Sequence, residues 1–366
     1  MNLRQRVLAV LYGDKPDYVP WLGDLDYWIA ALNEQNALAS KYQGRGIFQL
    51  HRDLGVGYYL QGYFPFITNY ENIQIEQEMH GSHRVTTVKT PVGNIFQTET
   101  YLAQSFCWAT EEHYIKTWRD LKAFRFWYNH SFYSPDYQQA EERIELVGDN
   151  GIVLCYLPKC PLMEMVALQA GISAVTFALM DAPDEFNETM SVLEKKADEA
   201  AEIVLKSPAE CLMIPENLSS EVIGKKLYLR YMRPFEEKWI KKIKALGKHS
   251  FIHMDGTLRG LIREVSETGF DVLEALTPAP VGDIPIEELH NWTGKDTVIW
   301  GGLPGIYFSK LVSDEEFDRF VIMVLGVMRK IPRFVLGVAD QVPPGADWDR
   351  INRVSQLVEQ YGSIVW

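Results

Sequence analysis

The chain has 366 residues, 47% of them hydrophobic and 23% charged, with a formal net charge of −13. That length suits one large domain or about two smaller ones, in an ordinary globular composition. The acidic balance excludes a nonspecific binder of nucleic acid or anionic membrane, because no basic excess exists to displace counterions from phosphates, and no apolar run reaches the roughly 18 residues that a membrane-spanning helix needs.

In chain order, Leu3, Val7, Leu8 and Leu11 share one helical face, which Gly13 and then Pro16 bring to an end. The opening MNLRQRVLAVLYGDKP lacks a long apolar core followed by a small-residue cleavage site, so it does not read as a secretory signal. Four cysteines (Cys107, Cys155, Cys160 and Cys211) are too few for a disulfide framework in a chain this long, which leaves a cytoplasmic protein with free thiols as the expectation.

Eight short apolar runs follow: YVPWLGD (18–24), GYYLQGY (57–63), IVLCYLP (152–158), CLMIPEN (211–217), SFIHMDG (250–256), VLEALTP (272–278), TVIWGGLP (297–304) and FVLGVAD (334–340). Helical patterns lie between most of them. Residues 186–207 place Met190, Leu193, Ala197, Ala201 and Val204 on one stripe, and 228–247, 258–269 and 347–362 read likewise. Buried strands alternating with helices imply parallel β-α units, and eight such units predict an α/β fold, a (β/α)8 TIM barrel. The rival, an open doubly wound sheet, lacks its G-x-G-x-x-G turn.

One region breaks the rhythm. Residues 73–103 alternate apolar and polar side chains around HGSH and TPVG, a pattern that predicts an antiparallel hairpin or meander after the second strand. The chain is therefore expected to be a single domain over 1–366, with 67–106 as an inserted β-rich segment.

Several apolar runs end in groups that bind metals or move protons. Barrel catalytic groups sit at the C-terminal ends of strands, where Asp24, Glu216, His253, Asp255, Glu274 and Asp340 all fall. His253 and Asp255 are two apart, so on a strand both point to one side, a pairing that suits zinc or a similar cation. Asp24 keeps two readings open: a helix cap, or a carboxylate that contacts substrate or shuttles a proton. Trp21, Asp26, Tyr27 and Tyr63 flank strand ends and are candidate substrate contacts, with Trp28, Phe64 and Trp108 as further aromatics for a ring-accepting pocket. Cys155 and Cys160 do not have structural-zinc spacing and read as buried or loop thiols, with Cys160 close enough to a strand end to line the mouth.

Taken together and in order, RQRVLAVLYGDKPDYVPW, CPLMEMVALQAG, HMDGTLRGLIREVSETGFDVLEALTPAPVGD, VIWGGLP and FVLGVADQVPPGADWDRINRVSQLVEQYG make the chain resemble the uroporphyrinogen decarboxylase superfamily along nearly its full length. The resemblance implies a (β/α)8 barrel, a homodimer and one of two activities. True decarboxylases carry an arginine-rich RQAGRY-like motif for acidic porphyrinogen side chains. Here Arg4 and Arg6 lie on the first helix instead, and the protein is acidic overall. The other branch moves methyl groups between small molecules and the corrinoid (cobalamin) of a partner corrinoid protein. Its thiol-methylating members hold zinc with an H-x-C pair and a later cysteine; the matching positions here are His253, Asp255 and Asp340, with carboxylates in place of both sulfurs. That exchange suits removal of a methyl group from an ether or amine, whose leaving atom must be protonated or bound by a Lewis acid.

The reading is a demethylating methyltransferase acting on a small methylated donor, with a methoxylated aromatic favoured. In it, Glu216, His253, Asp255 and Asp340 bind a metal, with zinc the candidate, or relay a proton, while Asp24 and Glu274 orient the substrate. The alternatives are a decarboxylase-like lyase and a non-catalytic tetrapyrrole- or corrinoid-binding protein.

Overall fold

A computed structural model describes residues 1–60 and 62–366, so Gln61, inside the second candidate strand, falls outside the described residues. The chain divides into two compact units, one of Met1–Tyr63, Gln138–Tyr156 and Pro208–Trp366, the other of Phe64–Tyr137 and Leu157–Ser207.

The first unit holds an eight-stranded parallel sheet in chain order: β1 (Leu22–Gly23), β2 (Gly57–Leu60), β3 (Gly151–Tyr156), β4 (Cys211–Leu218), β5 (His249–Met254), β6 (Val272–Leu276), β7 (Val298–Pro304) and β8 (Phe334–Ala339). A parallel bridge between Trp21 and Leu336, with the Leu336 amide donating to the Pro20 carbonyl at 2.9 Å, closes the ring. The result is the expected TIM barrel, and all eight candidate runs supply its strands.

Strand alternation sends every second side chain inward. Leu22, Tyr59, Ile152, Leu154, Cys211, Met213, Phe251, Val272, Val298, Trp300 and Val335 accordingly form one buried cluster. Val7, Val10 and Leu11 of α1 (Leu3–Tyr12) join it, so this helix covers the N-terminal ends of the strands. Asn2 and Gln5 form a capping box at its start, and Gly13 ends it at φ 85°, a conformation that glycine adopts without steric cost. Arg4 donates to Gly151 O and pairs with Glu210, Arg6 pairs with Asp17, and Arg333 donates to Val10 O and Leu11 O. Each fully buried aliphatic or Phe side chain in such a core contributes about 1.5–3 kcal/mol. Trp300 is the largest of the inward layer. At Gly337, on the neighbouring strand, a Cβ would stand 2.8 Å from its ring, so the indole fits only because that position has no side chain.

The second unit contains the expected meander, longer than the sequence pattern implied. Strands Gln74–His80, His83–Thr90, Gly93–Leu102 and Cys107–Glu112 pair antiparallel in order, turning at HGSH and TPVG as the sequence predicts. A separate antiparallel pair joins Phe66–Tyr70 to Ser131–Pro135. Helix Pro183–Leu205 buries Leu193, Ala197, Ala201 and Val204 of its predicted stripe. Trp108 belongs to this unit, where the Arg84 guanidinium lies 4.3 Å over its ring. Among the described residues, no helix is long and apolar enough to cross a membrane.

Candidate active site

The inward layer of the barrel leads directly to ionisable groups. Two residues beyond Leu22, Leu154, Phe251 and Val272 come Asp24, Tyr156, His253 and Glu274, which alternation therefore aims to the same inner side at the C-terminal end. Beneath them Tyr59, Phe251 and Trp300 make an aromatic floor, with ring centroids 4.8 Å apart for Tyr59–Trp300 and 5.8 Å for Phe251–Trp300.

His253 is the centre of the cluster. Its Nδ1 lies 2.5 Å from Glu274 Oε2, and its Nε2 lies 3.7 Å from Asp340 Oδ1. Burial alone would discharge the imidazole, but the Glu274 carboxylate, and then Asp340 and Asp255, outweigh it and hold the pKa up at about 9. Glu274 is buried and carried above the usual carboxylate range by desolvation, an effect that His253 opposes. Burial likewise raises Asp340, with His253 pulling it back and Asp255 adding to the rise. The arrangement at neutral pH is an imidazolium whose Nδ1–H donates to Glu274 and whose Nε2–H faces Asp340.

Backbone irregularities place these groups. β6 shifts register between Leu273 and Leu276, and Ala275 takes φ 65°, a bulge that flanks Glu274. Asp340 follows β8 at φ 73°, a left-handed conformation that Asp tolerates better than most residues. Continued alternation from Val335 would have sent residue 340 outward; the left-handed turn brings its carboxylate to His253 instead. Asp24, 5% exposed, accepts from the Asp26 amide at 2.9 Å and from Gln341 Nε2 at 3.0 Å. Asp24 thus steadies the start of helix Asp26–Glu34, as the capping reading expected, and stands on the inner face.

Three sequence candidates of the first unit, Glu216, Trp21 and Asp26, fall away from the cluster. Glu216 sits on β4 where the register shifts between Ile214 and Leu218, wholly buried, and its carboxylate acts on Glu236 of helix Arg233–Ala245, whereas the carboxylates that act on His253 are Glu274, Asp340 and Asp255. Trp21 has the opposite parity to Leu22 and is 1% exposed, its ring close to Gly23 and thus in the outer layer. Asp26 accepts from the Tyr58 hydroxyl and feels Arg143 in a cleft outside the barrel wall, since Tyr58 has the opposite parity to inward Tyr59. Cys160 belongs to the second unit, where its Sγ accepts from the Met163 amide at 3.4 Å and starts helix Pro161–Met163. The reason is common to Glu216, Trp21 and Asp26. Ending an apolar run does not fix which face a side chain takes.

Tyr63 is buried in the first unit, with its carbonyl accepting from the Tyr156 amide at 2.8 Å and Arg143 5.0 Å over its ring. Tyr27 is half-buried on helix Asp26–Glu34. Sequence reasoning missed Tyr59 and Tyr156. Both are pushed well above the usual phenol range by burial first and then by Glu274, so both stay neutral near the acid cluster. Their inward direction is set only when the strands pair around the ring, so the sequence alone did not mark them.

Zinc needs nitrogen and oxygen donors at about 2.0–2.2 Å, three or four of them converging. Among the described residues no group of three or more His, Cys, Asp or Glu side chains is so placed, and Glu216 faces the wrong way. The donor set does not fit the zinc reading.

A closed barrel with a histidine–carboxylate cluster at the C-terminal ends of its strands is the architecture of a TIM-barrel enzyme. Residues 160–361 match the family model described as uroporphyrinogen decarboxylase (URO-D), more than half of the chain, and the protein belongs to that family. No curated protein matches it. Among solved structures, one described as a methyltransferase from Methanosarcina mazei superposes with a TM-score of 0.61 over 99% of both chains at 12% identity, a likeness of fold.

Proposed function

We propose that the protein is a methyltransferase that moves a methyl group from a small methylated donor, favoured as a methoxylated aromatic, to the cob(I)alamin of a separate corrinoid protein. The observation that carries this reading is the geometry at His253, whose Nδ1 lies 2.5 Å from Glu274 and whose Nε2 faces Asp340 at 3.7 Å, charges that outweigh burial and raise its pKa to about 9. Breaking an aryl methyl ether leaves a phenolate, whose conjugate acid has a pKa of about 10. An acid near that value is well matched to give up its proton as the charge develops on oxygen.

A cob(I)alamin acceptor on the partner would supply the nucleophile for the methyl carbon, so that the C–O bond would break with its electron pair left on oxygen. His253 Nε2 delivers the proton, and the neutral ring keeps its Nδ1–H on Glu274, which fixes tautomer and orientation. Asp340 and Asp255 keep the ring charged between turnovers, Asp24 orients the donor, and neutral Tyr59 and Tyr156 offer hydroxyls beside Glu274. The family also supports a decarboxylase reading. Against it, Arg4 and Arg6 are tied to Glu210 and Asp17 by the first helix, away from the His253 end of the strands.

The test is anaerobic mixing of the protein with cob(I)alamin and panels of methoxylated aromatics and methylated amines, followed by the cobalt absorption spectrum. Methylcob(III)alamin formation with the aromatic ethers, lost in His253→Ala, is the expected result. Turnover of uroporphyrinogen with no methyl transfer would overturn the reading.

A further inference from the structure

The second unit contains a cavity of about 360 Å³, within the range of small-molecule sites. Its wall includes Phe64, Phe66, Tyr70, Trp127, Tyr133 and Glu164, all within that unit. Three of the rings form a connected surface, with centroids 5.6 Å apart for Phe64–Phe66 and 5.2 Å for Phe66–Tyr133. Phe64 and Tyr70 are 41% and 42% exposed, so apolar surface is left open here.

The charge in this wall is uneven. Tyr128 OH donates to Glu164 Oε1 at 2.5 Å and Gln169 Nε2 to the same atom at 2.9 Å, both neutral donors. Among the described residues Glu164 has no cationic partner. Lys196, also in the wall, is 4% exposed and compensated, since its Nζ donates to Ser131 O at 2.9 Å and to Glu199 Oε2 at 2.8 Å. Lys159 has interactions of its own. An aromatic wall with one uncompensated carboxylate attracts a bulky, weakly hydrated cation, through the ring faces and through the charge.

We propose that this cavity binds a small methylated ammonium ion, its N-methyl groups against the rings and Glu164 as counter-charge. The inference stands on the second unit alone and does not depend on the methyl-transfer reading.

Calorimetric titration of the full chain with choline, with its neutral tert-butyl isostere (carbon in place of nitrogen) and with methoxybenzoate tests it. Choline is expected to bind at least about tenfold more tightly than the isostere, a preference of the size that cation–ring attraction supplies. Glu164→Gln, which keeps the shape and the acceptor for Tyr128, should weaken choline several-fold and leave the isostere unchanged, so that only the part of the preference supplied by the rings remains. Tyr70→Ala, at a partly exposed ring, should weaken choline by several-fold without unfolding the chain. No choline binding, equal binding of the isostere, or a preference for the aromatic anion would each overturn the proposal.

Discussion

Glu274 and Glu216 are both buried glutamates on barrel strands, yet they meet opposite partners. Glu274, on β6, faces inward and finds a histidine 2.5 Å away. Glu216, on β4, faces outward and meets a second carboxylate, Glu236, which also accepts from Tyr228 OH at 2.7 Å. The first pair is a cation and an anion, and it keeps a proton available at the mouth. The second is two acids in one buried space, which can coexist only if a proton is retained there; burial and then Glu216 accordingly raise Glu236 well above its ordinary value. The direction a strand glutamate faces separates one that pairs with His253 from one that pairs with a second acid.

The largest effect expected from breaking this contrast is at the inward pair. His253→Ala should lower methyl transfer by about 10²–10⁴-fold, the range for loss of a general acid, with circular dichroism unchanged. A loss of less than about tenfold would remove His253 from the chemistry.

Glu274→Gln sharpens the comparison through pH. The wild-type rate should fall as pH rises through about 9, where His253 loses its proton. Without Glu274, burial dominates, so that limb should move to lower pH by about one to two units. Stability follows the same sign. A histidine whose folded pKa is raised from 6.5 to about 9 stabilises fully below 6.5 and loses that contribution as pH rises through about 9. Thermal melts of the wild type should therefore decline over that window, and those of Glu274→Gln should be flatter there.

The outward pair predicts the reverse pattern, stability without rate. Glu236 has a folded pKa above its ordinary 4.5, so it binds a proton on folding, and stability should begin to fall as pH rises past 4.5. Glu236→Gln keeps a neutral group of the same shape. It should flatten that decline and raise Tm at neutral pH by about 2–4 °C per kcal/mol recovered, with kcat/KM within about twofold of wild type. A large loss of rate would show that the outer pair is coupled to the mouth.

The smallest effect belongs to Asp26. Its cleft lies outside the barrel wall, so Asp26→Asn, which keeps an acceptor for Tyr58 but loses the charge facing Arg143, should cost about 1 kcal/mol of stability or less and leave the pH profile of turnover unchanged. Asp24→Asn, two residues earlier but on the inner face, should lower kcat/KM measurably. Equal behaviour of the two would break the parity argument at β1.

How much of this was legible beforehand varies residue by residue. Runs such as SFIHMDG and VLEALTP announced buried strands through their apolar content, and HGSH and TPVG announced the meander turns, because these signals depend on neighbours in the chain. His253, Asp255, Glu274 and Asp340 were legible as strand-end groups for the same reason. Glu216 and Trp21 were misplaced, and Tyr59 and Tyr156 overlooked, because each strand's phase is defined only when it pairs with others around a closed ring.

By itself, then, the sequence determined the number and order of the β-α units, the absence of basic character, and which segments carry carboxylates near strand ends. Tertiary structure alone decided which of those carboxylates share a space. The Ala275 bulge, the left-handed Asp340 and the Glu216–Glu236 pairing arise from register and packing between segments tens of residues apart. Charge interactions depend on distance through space and on burial, and neither is a property of the chain until it has folded.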